Sequence, residues 1–107
     1  MSFHPVAKLD DLWSGEKLGV ELCGRPVLLV NVEGTVRAYE DRCCHQGIRL
    51  SQGRLEGAVL TCFAHGWQYD VRSGRGINPQ SVRLVSYPIR IAGNEIAVDV
   101  GEGSAHG

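Results

Sequence analysis

The sequence predicts an all-β fold: an antiparallel frame with a loop-rich insert at about residues 40–80. Three observations carry this. Apolar residues come in short runs or alternate with polar ones, as strands require. Glycine is abundant, 14 of 107 residues, without the period of three of a collagen chain. Turn dipeptides fall between the apolar runs, where hairpins need them.

From the N-terminus, Leu9-Asp10-Asp11-Leu12-Trp13 predicts one short helical turn ended by Gly15, with Trp13 a core or staple residue. Val27-Leu28-Leu29-Val30 is a short continuous apolar run, as expected of a buried strand. Cys23-Gly24 turns the chain before it and Glu33-Gly34 after it, and Val36–Tyr39 returns as the next strand. Ile89 and Ile91 alternate, Gly93-Asn94 turns, and Ile96, Val98 and Val100 alternate again, which makes a terminal hairpin. Pro26 and Pro88 fall at strand starts, where a missing N–H is tolerated. Gly101 to Gly107 reads as a loose tail.

A chain of 107 residues is expected to form one domain, residues 1–107, with no room for a second catalytic one. The formal charge of -1 is unevenly spread. Residues 1–36 carry a net of -2, residues 37–90 carry eight Arg against four acidic side chains for +4, and the remainder carries -3. A nucleic-acid binder would show a strongly basic total, so no nucleic-acid partner is expected. The basic middle suits either a solvated surface or acidic protein partners. No apolar run approaches the roughly 18–20 residues that cross a bilayer. His4, Lys8, Asp10 and Asp11 occupy the stretch where a signal peptide would be apolar. The expectation is a cytoplasmic monomer with no membrane partner. In that compartment four Cys argue for metal before they argue for disulfides.

The insert contains Cys43-Cys44-His45 and, after sixteen intervening residues, Cys62-Phe63-Ala64-His65. The pattern is C-x-H followed by C-x-x-H, so each half offers one thiolate and one imidazole. With each loop supplying one Cys and one His, two Cys can hold one iron and two His the other. That is the donor set of a Rieske [2Fe–2S] centre. Cys₂His₂ is also a zinc set. Structural zinc sites pair like ligands in each half, whereas both halves here are mixed. The zinc interaction module therefore stays as the competing reading.

Cys43, His45, Cys62 and His65 match the two cluster-binding boxes of Rieske-type ferredoxins, and the surroundings agree. Leu50–Gly57 resembles the family's link between the boxes, and His65-Gly66-Trp67-Gln68-Tyr69-Asp70 resembles the family's sequence after the second box. Gly74–Pro79 resembles the third loop, which covers the cluster with a proline. The resemblance runs over about residues 5–100. It implies an antiparallel β-sandwich or barrel base with a loop-rich cluster-binding subdomain at about 40–80, and one [2Fe–2S] cluster. Met1-Ser2-Phe3, Leu9–Trp13, His45-Gln46 and Gly76-Ile77-Asn78-Pro79 narrow the likeness. They resemble the ferredoxin component of bacterial toluene and related aromatic monooxygenases. That resemblance implies a carrier of electrons from an NADH-dependent flavin reductase to a diiron hydroxylase. The ferredoxins of aromatic-ring dioxygenases are the alternative.

Cys44 departs from the pattern, which more often has Pro or Thr there, and is read as a spectator thiol. Ala64 and ordinary loop residues stand where the cytochrome-complex branch has its cross-loop disulfide, and Cys23 is read as structural. The His-held iron is expected near the surface, with Gln46, Gly47, Trp67 and Pro79 at its rim or against a partner. Trp67 has a second reading as subdomain core.

Two ferric ions, two sulfides and two thiolates sum to zero charge, and one electron makes the cluster -1. Four thiolates would give -2 and -3. Rieske potentials are accordingly higher, about -150 to +300 mV against roughly -400 mV for plant-type centres. Without the cross-loop disulfide, the lower part of that range is expected. Beyond His45 and His65 only His4 and His106 remain, and they stand at opposite termini rather than in the pattern of an oxygenase site of two His and a carboxylate. No G-x-G-x-x-G is present to bind a dinucleotide. The chain is expected to be a carrier, not an enzyme.

Overall fold

The computed structural model describes residues 3–43, 48–64 and 66–101. Within them lie eleven strands in three antiparallel sheets. Strands β1 (His4–Lys8), β11 (Glu95–Val98) and β10 (Ile89–Ala92) form the first, in that order. The second has the order β2 (Lys17–Leu22), β3 (Arg25–Val32), β4 (Thr35–Glu40), β9 (Ser86–Tyr87). The third runs β5 (Arg54–Glu56), β6 (Val59–Thr61), β7 (Gln68–Asp70), β8 (Arg75–Asn78). The all-β expectation holds.

The central strand is β3, and its apolar run is buried on both faces. Val27 and Leu29 point into one apolar cluster with Leu12, Val36, Ala38, Ile96 and Val98, between the first two sheets. Leu28, Val30 and Val32 point the opposite way, into a second cluster with Leu50, Leu60, Tyr69, Cys43 and Cys62. Side chains alternate along a strand. Successive residues of one strand therefore supply two cores, which is why this stretch reads as continuously apolar.

The hairpins form where their turn dipeptides predict. Cys23 and Gly24 have φ of 55° and 76°, and Glu33 and Gly34 have 56° and 87°. Two consecutive left-handed residues match the right-handed twist of the strands they join. Ile91 pairs with Ile96 and Ala92 with Glu95 around Gly93-Asn94, although Ile91 is exposed.

One expectation is corrected, and two elements are added. Leu9–Asp11 is a single 3₁₀ turn that buries Leu12, and its neighbour Trp13 therefore faces outward and is 67% exposed. His4–Lys8, to which the sequence pattern assigns no element, adds an edge strand against β11. The insert is loop-rich as expected, and its loops are joined by a four-stranded sheet, β5–β8. Its strands are three or four residues long, too short to display a period.

Candidate metal centre

The candidate ligands open two loops, one after β4 of the second sheet and one between β6 and β7 of the third. Asp41 follows β4, and Cys43 lies two residues further on. The Cys43 backbone N–H donates to the Ile48 carbonyl at 2.7 Å, closing a loop of chain between them. The second half repeats the arrangement: after β6, the Cys62 N–H donates to the Trp67 carbonyl at 2.8 Å. Both closures run from a cysteine to the residue five positions on. Each loop thus begins at a cysteine and contains the histidine of its own C-x-H or C-x-x-H half.

Cys43 and Cys62 are each 2% exposed and belong to the same apolar cluster. The Tyr69 hydroxyl, itself fully buried on β7, lies 3.4 Å from Cys43 Sγ. A thiolate can only accept, so with Cys43 deprotonated the tyrosine donates. Tyr39 sits beneath the same layer, its hydroxyl donating to the Val71 carbonyl at 2.5 Å. Burial pushes the Tyr39 phenol above its ordinary pKa, with Arg37 opposing and Asp70 reinforcing, so it stays a donor.

The link between the loops is tightly built. Leu50 enters the apolar cluster and Ser51 binds Asp41. A side chain at Gly53 would collide with the Thr61 carbonyl, so only glycine lets the link return onto β6.

The sequence-predicted site residues divide into two groups. Cys43 and Cys62 are brought into one buried cluster. Trp67 is partly buried against that cluster, as its subdomain-core reading expects, and Pro79 is partly buried after a cis Asn78-Pro79 bond. His45, His65, Gln46, Gly47 and Cys44 lie outside the described residues. Cys23 is an exposed free thiol in the β2–β3 turn. Two further residues at the site carry no signal in the sequence. Phe63, beside Cys62, is 61% exposed. Tyr69 lies in the run after the second box, but nothing in that run says its hydroxyl reaches the first.

Two buried soft donors from two similarly closed loops fit an iron–sulfur cluster, since thiolates are the ligands such clusters use. The profile of the Rieske [2Fe-2S] domain matches residues 2–88. The chain belongs to the Rieske family. It is 43% identical over 99 residues to the ferredoxin component of the alkene monooxygenase system of Xanthobacter autotrophicus, covering 92% of this chain and 81% of that one. It is 34% identical to the biphenyl dioxygenase ferredoxin subunit of Pseudomonas sp. (strain KKS102), covering 99% of each. Among solved structures, the complex of reduced oxygenase and oxidized ferredoxin in carbazole 1,9a-dioxygenase contains a chain superposing with a TM-score of 0.82. The two are 28% identical, and the match covers 90% of this chain and 91% of that one. This Rieske protein carries one [2Fe–2S] cluster and serves electron transfer rather than catalysis.

Proposed function

We propose that this Rieske protein is the ferredoxin component of a multicomponent monooxygenase acting on unsaturated or aromatic hydrocarbons. It receives electrons from an NADH-dependent flavin reductase and delivers them to a diiron hydroxylase, one at a time. Cys43 and Cys62 hold one iron, and His45 and His65 hold the other. The cluster, when bound, supplies a site that takes up and releases one electron. The remaining work belongs to the chain. Its apolar layer keeps water from the Cys43 and Cys62 sulfurs, and the Tyr69 hydroxyl donates toward Cys43. The loop that ends at Trp67 leaves Phe63 at the surface beside Cys62, available to a partner.

The observation that carries this reading is the matching closure of the two Cys-led loops over one buried layer. The likeness to an alkene monooxygenase ferredoxin supports a monooxygenase partner. The full-length likeness to a biphenyl dioxygenase ferredoxin supports the alternative, a ring-hydroxylating dioxygenase. Residues 1–107 act as one unit in the cytoplasm, as a monomer, with about 40–80 forming the cluster-binding part. Among the described residues, no helix is long and apolar enough to cross a membrane.

The test has two stages. Anaerobically purified protein should be coloured and contain about two irons per chain. A colourless zinc protein would defeat the cluster reading. The reduced protein is then offered to purified monooxygenase and dioxygenase components, and reoxidation by the dioxygenase alone would decide for the alternative.

A further inference from the structure

One face of β2 is a rail for the segment that leaves the first loop. Lys17, Gly19 and Glu21 alternate onto that face, while Leu18, Val20 and Leu22 pack into the base cluster behind it. Lys17 Nζ donates to the Ser51 carbonyl at 2.5 Å. A side chain at Gly19 would lie 2.6 Å from Ser51 Oγ and 3.0 Å from Asp41 Oδ2. Glu21 pairs with Arg49 at 2.7 Å. Gly19 thus lets the strand backbone close directly over the buried Asp41 and the half-buried Ser51.

In that pair the Ser51 N–H donates to Asp41 Oδ1 at 2.7 Å and the Ser51 hydroxyl to Oδ2 at 2.6 Å. Each carboxylate oxygen accepts one bond, the arrangement suited to the ionised group. Asp41 is wholly buried, yet among the described residues no ion pair reaches it. Lys17 is bonded to the Ser51 carbonyl and Arg49 to Glu21. Among the described residues, a negative charge two residues from Cys43 is therefore hydrogen-bonded by a neutral serine, and the Arg49 guanidinium acts on it only through space.

We propose that Asp41 is a positioning residue that also sets the reduction potential of the centre. It clasps the start of the first loop to its exit through Ser51, and its buried charge makes adding an electron harder. The inference rests on the reading of Cys43 as a cluster ligand. Its physical basis is that a buried charge is poorly screened and repels an incoming electron, so the midpoint lies below what the donor set alone would give.

The holoprotein and two variants test it by redox titration, with iron content and visible spectrum recorded for each. Asp41→Asn keeps the shape, since its amide can accept from the Ser51 N–H and donate to the Ser51 hydroxyl, but it removes the charge. Its midpoint should rise with the spectrum unchanged. Ser51→Ala keeps the charge and removes one of its two donors, leaving the charge less compensated, and its midpoint should fall. A clasp with only a structural role would move both variants in one direction. Shifts of the same sign, or unchanged midpoints with intact spectra, overturn the proposal. If Asp41→Asn holds no centre, a Ser51→Ala midpoint that rises or stays unchanged overturns the proposal. Failure of the cluster reading would look different, because the unmodified protein would then lack iron and colour.

Discussion

The two apolar clusters on either side of β3 are made of different materials. The base cluster is almost wholly aliphatic, built from Val27, Leu29, Val36, Ile96 and Val98 with Leu12 as a plug. The other mixes Leu28, Leu50 and Leu60 with Tyr39, Tyr69, Cys43 and Cys62. The base needs only burial, worth about 25 cal/mol per Å² of apolar surface removed from water, and it tolerates no polar group that lacks a partner. The second cluster keeps polar atoms inside and must satisfy each of them. Tyr39 reaches the Val71 carbonyl, Tyr69 reaches Cys43, and Asp41 reaches Ser51. A structural core can be generic, whereas a core that holds sulfur donors must be specific.

This contrast is broken most completely at the sulfurs. Cys62→Ser or Cys43→Ser should abolish the visible spectrum and the bound iron, read by absorbance and iron assay, while the base hairpins keep their far-UV circular dichroism. Leu29→Ala, in the base, should cost about 2–5 kcal/mol in denaturant unfolding. It should leave the spectrum of the folded fraction unchanged. Removing the cluster by acid and chelator sharpens the comparison: amides of β5–β8 should lose hydrogen-exchange protection before those of β2 and β3, because metal binding is coupled to folding only where the ligands sit. Tyr69→Phe is a subtler probe. It removes a donor that stabilises the more negative, reduced state, so the midpoint should fall while the spectrum stays. Smallest of all is Trp13→Ala, expected within about 0.5 kcal/mol by thermal unfolding, since the ring is exposed.

The base is the more legible region. Its strands are long enough to show alternation or a continuous apolar run, and its turns carry left-handed residues such as Gly24 and Gly34. The N-terminal strand is hidden in the sequence because its pairing partner, β11, lies at the far end of the chain. Trp13 misleads because aromatic size argues for burial, whereas the 3₁₀ turn gives the inward position to Leu12. In the cluster-binding region the donor pattern is legible and the sheet is not. Strands of three residues are set by ladder partners and by their place over a core, and neither is written locally.

The sequence by itself determined the chemistry: which donors exist, how they are spaced, and hence which family of centre they suit. Donor type and spacing along the chain are properties of neighbouring residues, so they can be read without a fold. Only the tertiary structure decided how β3 is shared between two cores, that the Tyr69 hydroxyl meets Cys43, and that Asp41 closes on Ser51 beneath Gly19. Each of these depends on contacts between segments ten to seventy residues apart. Burial, and the hydrogen bonds it makes obligatory, exist only once those segments have been brought together.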